Sequence, residues 1–283
     1  MADNPEIIDL AAWLQTPTGA YLRAWEQRHL NALTADIFGF NAVQIGSPQI
    51  HALQANRMPY RWLTDNSMPA DENQSELEIP QVVTHDFCEL PFATQSLDLV
   101  VLPHVLEFAA EPHQVLREVE RVLIPEGQVI ICGFNPSSLW GMRQAAGRLT
   151  GAHFLPRDGE FIRLPRLKDW LKLLNMEVNR GHFGCYAPPC QTEQWLGRFG
   201  FMEKAGDRWW PYFGAVYIVQ AIKRVPGMRL IGPALSRQKV KAPRGVPVTN
   251  RIHKSDPAVS GIIAAQPGTA LSPAQERQNA RDR

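Results

Sequence analysis

The chain has little of several features that identify common protein classes. Its four cysteines form no Cys-x-x-Cys pair, and its net charge is only +1 over 283 residues. Such cysteine usage is typical of a reducing compartment, and a near-neutral balance gives no global signature of nucleic-acid binding. No apolar run is long enough to cross a bilayer, and the acidic start lacks the basic and apolar regions of a secretory signal. These absences predict a cytoplasmic protein.

Two nucleotide-binding signatures are also missing. There is no G-x-x-x-x-G-K-[ST] and no G-x-G-x-x-G, which disfavours P-loop nucleotidases and nicotinamide dehydrogenases. His182, Cys185 and Cys190 are soft metal ligands, but their spacing is irregular and no fourth partner lies nearby. The sequence therefore predicts no metal site.

Short apolar runs alternate with helical segments along the middle of the chain. This alternation is typical of a parallel sheet covered by helices on both faces. The predicted fold is α/β, with a doubly wound, mostly parallel seven-stranded sheet whose last two strands are antiparallel to each other. The predicted strands are 42–45, 60–64, 82–84, 97–102, 129–133, 176–183 and 215–222. The predicted helices are 16–40, 49–56, 112–123, 164–175 and 191–201.

The chain divides into a helical extension (1–40), a main domain (41–224) and a tail (225–283). Within the main domain, residues 136–163 are rich in Gly, Ser and Arg and are predicted to form a lid over a cleft. The tail holds ten Lys/Arg and three Asp/Glu, a net of +7, together with seven prolines. This composition predicts a disordered basic extension.

Candidate binding residues follow the predicted strands. In doubly wound sheets ligands bind at the carboxyl ends of the strands, where Gly46, Asp65 and Asp86 would lie. Asp65 comes 19 residues after Gly46, close to the spacing of the ribose-binding acid in nucleotide-binding folds. Asp65 also lies in Thr-Asp-Asn-Ser, a good turn sequence, so a purely structural role stays open.

Several linked motifs in the middle of the chain point to one family. They are Asp86-Phe87 with Leu90-Pro91-Phe92, Asp98-Leu99-Val100-Val101 with His104-Val105-Leu106-Glu107, and Arg121-Val122-Leu123 with Pro125 and Gly127. In this order they resemble class I S-adenosylmethionine-dependent methyltransferases of the type 11 kind. The resemblance covers roughly 40–224 and is strongest in its middle third. It implies a Rossmann-like methyltransferase fold, S-adenosylmethionine as cofactor and methyl transfer to an acceptor.

The resemblance also implies roles for individual residues. Asp86 would contact the adenine amino group and Phe87 the adenine ring, while Leu102 and His104 would lie near the amino-acid end of the cofactor. With Gly46 and Asp65 these residues make up the predicted cofactor site. A histidine at a helix start more often caps or packs, so this alternative stays open for His104.

The loop after the first strand departs from the family pattern. Related enzymes carry a glycine-rich turn there, whereas this chain has Ile45-Gly46-Ser47-Pro48 with a single glycine. Pro48 removes a backbone donor, and Gln44 replaces the acid usual in the first strand. Either the loop is rebuilt and still admits the cofactor, or the chain is a catalytically inactive binding or scaffold protein of the same fold.

The acceptor and the catalytic residues are not specified by the sequence. Candidate bases are His104, His153 and His182, and candidate walls are Trp140, Phe154 and Tyr186. The aromatic run Trp209–Phe213 could line an apolar pocket, although core packing is the commoner outcome. The basic tail could contact RNA, but it has no aromatic residues for base stacking. A small-molecule acceptor is therefore favoured.

Overall fold

The computed structural model describes residues 9–65, 82–84, 86–151, 153–156 and 159–225. The predicted polar loop at 71–78 and the predicted basic tail from 226 onward lie outside these residues. The described residues all belong to one compact unit, Met1–Arg229.

The described part of the chain forms a seven-stranded sheet with the order β3-β2-β1-β4-β5-β7-β6. Strands β1 to β5 run parallel, whereas β7 is antiparallel to both β5 and β6. The strands are β1 Asn41–Ile45, β2 Tyr60–Asp65, β3 Val82–Thr84, β4 Leu97–Pro103, β5 Leu123–Phe134, β6 Met176–Gly184 and β7 Val216–Lys223. The predicted doubly wound, mostly parallel sheet is therefore confirmed.

Eight α-helices surround this sheet in the described residues. They are α1 Leu10–Trp13, α2 Pro17–Ala35, α3 Val105–Phe108, α4 Pro112–Val122, α5 Leu139–Thr150, α6 Leu164–Leu173, α7 Glu193–Arg198 and α8 Phe201–Trp209. The side chain of Thr16 caps α2 by accepting from the Gly19 amide, as a threonine before Pro17 predicts. The single helix predicted at 191–201 is in fact two short helices, α7 and α8.

The helix predicted at 49–56 is wrong, because the segment after β1 runs through turns instead. The side chain of Gln44 bonds to the Ile50 carbonyl and the Ala52 amide, and the side chain of Gln27 bonds to both backbone groups of His51. These backbone groups are bound by distant side chains and therefore cannot build a helical ladder.

Two apolar clusters cover the two faces of the sheet. Along β5 the side chains alternate between them, with Ile130 and Cys132 on one face and Val129 and Ile131 on the other, as the period of a strand requires. The first cluster includes α1, α2 and α5, and the second includes α4 and α6. No helix within the described ranges is both long and apolar enough to span a membrane.

Candidate functional site

The carboxyl ends of the central parallel strands meet at one edge of the sheet. The Gly46 amide, directly after β1, donates to the Thr64 carbonyl of β2 over 2.6 Å. The Ser47 hydroxyl donates to the Pro103 carbonyl at the end of β4 over 2.8 Å. Asp65, the last residue of β2, lies opposite Thr84 of β3. The fold thus brings the backbones of Gly46 and Asp65 to one edge, with Asp86 two residues beyond β3.

Gly46 occupies a position that only glycine accepts without strain. Its φ is +70°, and a Cβ built there would meet Val105 Cγ2 at 2.9 Å and Phe87 Cζ at 3.4 Å. The left-handed conformation and the close approach both require the missing side chain. Phe87 therefore lies against the turn that follows β1, next to Gly46 as the predicted site requires.

Asp86 and Leu102 differ in their exposure. Asp86 is exposed at the edge, where one carboxylate oxygen accepts from the Cys88 amide over 3.0 Å. Leu102 is fully buried within β4, in the same apolar cluster as Val105. Asp86 can therefore meet a ligand from solvent, whereas Leu102 supports the edge from below.

The loop after β1 is held by side chains in place of the missing glycines. The buried amide nitrogen of Gln44 donates to the carbonyls of Gly46, Ser47 and Ile50 over 3.2, 3.0 and 2.6 Å. Its oxygen accepts from the Ala52 amide over 2.9 Å. A carboxylate at this position could not donate to three carbonyls, so the replacement of the usual acid by glutamine suits this particular loop.

Helix α2 contacts both segments that flank this edge. Gln27 bonds to the backbone of His51 in the loop after β1, at 2.8 and 3.0 Å. Its neighbour Glu26 bonds to His104, the residue that follows β4, over 2.9 Å. Two consecutive residues of one helix therefore connect the loop after β1 with the end of β4.

A buried cluster of Glu26, His104 and Glu107, called the Glu–His–Glu cluster below, lies at the end of β4. The two ring nitrogens of His104 contact Glu26 Oε1 and Glu107 Oε2, each at 2.9 Å. All three side chains are essentially inaccessible to solvent. Glu107 Oε1 also accepts from the Phe134 amide, whereas Glu26 Oε2 is buried without a hydrogen-bond partner in the described residues.

The electrostatics of the cluster favour a charged imidazole. Burial alone would lower the pKa of His104, but the carboxylates of Glu26 and Glu107 outweigh it and raise that pKa to about 10. Burial raises the pKa of Glu107, and the hydrogen bond from His104 opposes that rise. Burial, reinforced by Glu26 and Glu107, raises the pKa of the nearby Cys132 thiol. Both ring nitrogens of His104 bond to carboxylates, so its ring is held inside the fold.

The sequence motifs do not indicate Glu26 or Gln27 as part of this site. One signal could have found Glu26, because it shares a helical face with the buried residues Leu22, Leu30 and Leu33. A glutamate in an apolar stripe needs a buried partner, since an isolated buried carboxylate is costly. Nothing local marks Gln27, whose partner His51 lies 24 residues away.

The other candidate bases and walls lie on other elements of the fold. His182 is on the edge strand β6, separated from β4 by β7 and β5. Trp140 and Phe154 are buried in the first apolar cluster, and His153 lies within 3.5 Å of Gln144 on α5. Within the ranges the structure covers, no three His, Cys, Asp or Glu side chains could together hold a metal ion.

The aromatic run after α8 lies on the surface, so the expectation of core packing is wrong. Trp209, Tyr212 and Phe213 are 74%, 71% and 57% exposed. Tyr212 contacts Phe183 of β6 edge-to-face, with ring centroids 5.6 Å apart. Trp209 ends α8 and the other two rings precede β7, and none of the three belongs to either apolar cluster of the described residues.

Comparisons with known proteins agree with this architecture. The profile of the methyltransferase domain family matches residues 62–131. The chain is 30% identical to the uncharacterized protein YafS of Escherichia coli K12 over 244 residues, which cover 86% of this chain and 92% of YafS. It is also 36% identical over 69 residues to a malonyl-[acyl-carrier protein] O-methyltransferase of Halorhodospira halophila, covering 24% of this chain and 23% of that enzyme.

Two solved structures share the fold. One is a methyltransferase determined in complex with the Trm112 methyltransferase activator of Haloferax volcanii, with a TM-score of 0.56 and 17% identity over 78% of this chain and 99% of that one. The other is an S-adenosylmethionine-dependent methyltransferase of Thermotoga maritima, with a TM-score of 0.53 and 14% identity over 72% and 92% of the two chains. The match to the methyltransferase domain family and the near-complete alignment with YafS together show that this chain belongs to the type 11-like methyltransferase family.

Proposed function

We propose that the protein binds S-adenosylmethionine at the carboxyl edge of the sheet and transfers its methyl group to a small-molecule acceptor. The observation that carries this proposal is the order of residues along that edge. Gly46, Asp65 and Asp86 lie at or just beyond the ends of three neighbouring parallel strands. Their order along the edge is the order in which the resemblance to the family places the cofactor contacts. Ligands of doubly wound sheets bind at this edge.

The residues at the edge suit the chemistry of the cofactor. Asp86 offers an exposed carboxylate for the adenine amino group, with the Phe87 ring beside it, and Asp65 is at the position for the ribose hydroxyls. Gly46 lets the chain approach closely, as its φ of +70° and its contact with Val105 require. The partnerless oxygen of Glu26 supplies buried negative charge on the side toward which the sulfonium and the amino-acid part of such a ligand would extend.

When bound, S-adenosylmethionine supplies an electrophilic methyl group for an in-line displacement. This chain's residues then need to hold and orient the reactants, and no fixed catalytic triad is required. The α2 helix would shield the end of the site near β4 from water, since Glu26 and Gln27 connect it to His104 and His51.

Isothermal titration calorimetry of the purified chain tests the proposal. We expect micromolar binding of S-adenosylmethionine and of its demethylated product, S-adenosylhomocysteine. Asp65→Ala and Asp86→Ala should each weaken both ligands at least about tenfold, as loss of a charge-assisted hydrogen bond requires. Glu89→Ala, which removes another exposed acid close to Asp86, is the matched control and should bind normally. Unaltered binding in both aspartate variants would refute the assigned site.

A second candidate function is a binding or scaffold protein that keeps the fold without turnover. The observation that favours it is the rebuilt loop, in which Pro48 offers no amide and Gln44 occupies three carbonyls. This alternative predicts that the folded protein shows no heat of binding with either ligand. Detectable binding of both ligands would show that the rebuilt loop still admits the cofactor.

The location and the alternative acceptor are predictions from the composition of the chain. The cytoplasmic location stays a prediction from cysteine usage. RNA as acceptor predicts salt-dependent RNA binding that weakens when residues 225–283 are deleted. Unchanged RNA affinity after that deletion would separate the tail from the function, and absence of RNA binding would leave the small-molecule acceptor.

A further inference from the structure

We propose that Glu26 determines ligand charge specificity at this edge, so that a cationic sulfonium ligand is favoured over the corresponding neutral thioether. The inference rests on the proposed function and concerns the same site. It assigns a role to a helix outside the nucleotide-binding strands, and it predicts that the product of methyl transfer is held less tightly than the substrate form of the cofactor.

The Glu–His–Glu cluster holds two carboxylates for one imidazole. Glu26 and Glu107 each contact one ring nitrogen of His104 at 2.9 Å, and both acids are buried. With both acids ionised and the imidazole protonated, the cluster carries one negative charge more than it can neutralise internally. Among the described residues no Lys or Arg forms an ion pair with either acid.

The excess charge is concentrated on the Glu26 side of the cluster. Both oxygens of Glu107 are bonded, one to His104 and one to the Phe134 amide. Glu26 Oε2 is buried and has no partner within the described part of the chain. A buried carboxylate oxygen without a partner is costly, and a nearby cation would offset that cost.

The cluster adjoins the part of the edge where a cationic ligand group would lie. His104 directly follows Pro103, whose carbonyl accepts from Ser47 in the loop after β1. Gln27, the neighbour of Glu26, bonds to His51 farther along the same loop. The strands that carry Asp65 and Asp86 lie on the other side of β1, so a ligand with its adenosine there would extend its sulfonium and its amino-acid part toward the cluster.

The physical effect is a difference between ligands. A buried charge acts over several ångströms because the protein interior screens it weakly. S-adenosylmethionine carries a sulfonium charge that S-adenosylhomocysteine lacks, while the rest of the two molecules makes the same contacts. The excess negative charge therefore stabilises the first ligand and leaves the second nearly unaffected.

Calorimetry with three ligands tests this inference. In the wild type, S-adenosylmethionine and sinefungin, which has an amine at the sulfonium position, should bind more tightly than S-adenosylhomocysteine. In Glu26→Gln, which keeps the size of the side chain, both cationic ligands should weaken about tenfold, an effect of the size expected for one partly screened charge. The affinity for S-adenosylhomocysteine should change less than about twofold. Thermal unfolding verifies that Glu26→Gln is folded. If it is not, Glu107→Gln, which removes the other acid of the cluster, replaces it in the same measurement.

Glu203→Gln is the matched control. Glu203 also connects to α2, through Tyr21, and accepts from the Tyr186 amide at 2.9 Å, but it lies outside the cluster. It should leave the ratio of affinities unchanged. Equal weakening of charged and neutral ligands in Glu26→Gln, or the same change of ratio in Glu203→Gln, would overturn the role of Glu26 while leaving the proposed function intact. A wild type that binds none of the three ligands would overturn the proposed function and this inference with it.

Discussion

The two halves of the carboxyl edge are built differently. At the outer half, after β2 and β3, Asp65 and Asp86 keep the acids expected of the family, and Asp86 is exposed. At the inner half, after β1 and β4, the polar side chains of Gln44 and His104 are buried and bonded to the protein itself. Asp86 at the outer half is thus accessible to solvent, whereas the inner half uses these polar groups to hold its own loop and helices.

This difference shows how the loop after β1, with a single glycine, can still keep a defined shape. A glycine-rich turn offers amides to a ligand, whereas this loop is fixed by Gln44, Ser47 and the Gln27–His51 contact. Substitutions at the inner half should therefore mainly lower the free energy of unfolding. Substitutions at the outer half should mainly lower the affinity for the ligand.

Replacement of His104 should give the largest stability loss. It therefore gives the clearest test of the difference between the two halves. His104→Ala leaves two buried carboxylates without their shared partner and should lower the free energy of unfolding by about 3–5 kcal/mol. Asp86→Ala, at the exposed outer half, should change it by less than about 1 kcal/mol. Urea denaturation followed by circular dichroism measures both. Similar losses in the two variants would contradict the contrast between the halves.

The stability of the inner half should also fall as pH rises above 6.5. The pKa of His104 is raised to about 10 in the folded protein from an ordinary value of 6.5, so the folded state keeps a proton that the unfolded state releases. The stabilisation is complete below pH 6.5 and is lost as pH rises through about 10. Only part of it is lost by pH 8.5, so the effect should be smaller than that of His104→Ala.

Denaturation between pH 6.5 and 8.5 isolates this effect. The lowered pKa values of His51 and His182 act below that window, and the raised pKa values of Cys132 and Cys185 act above it. His104→Gln should flatten the decline. An equally steep decline in that variant would show that another group is responsible.

Restoring the acid usual in the family at the first strand should destabilise this protein. Gln44→Glu removes the amide that donates to the Gly46, Ser47 and Ile50 carbonyls and should cost about 1–3 kcal/mol. Gln54→Glu, at an exposed position of the same segment, is the control and should cost little. Unchanged midpoints of urea unfolding for Gln44→Glu would mean that the loop does not depend on this side chain.

A further stability loss, similar in size to that of Gln44→Glu, is expected at Gly46. Gly46→Ala should cost about 1–2 kcal/mol from its positive φ, plus the displacement of Val105 Cγ2, which would lie 2.9 Å from the new Cβ. Gly151→Ala is a matched control, since its φ is +76° and nothing lies within 4 Å of a Cβ there. Thermal unfolding should show a larger loss of stability for Gly46→Ala than for Gly151→Ala. Equal losses would contradict close packing of Val105 against Gly46.

The sequence predicted the sheet well because its strands are short apolar runs bounded by turn residues. It failed at 49–56 because the groups that prevent a helix, Gln44 and Gln27, act from outside that segment. It placed His104 at the correct strand end but could not show which side the ring faces. That orientation depends on Glu26, which is 78 residues away in the chain.

A crystal structure of the protein soaked with S-adenosylmethionine tests the central claim most directly. We predict the adenosine part between Asp65 and Asp86, with the methionine part beside Gly46 and Pro103 and accommodated next to Pro48. A ligand bound elsewhere, or no ligand at this edge under conditions that saturate binding in solution, would contradict the assignment of the carboxyl edge as the cofactor site.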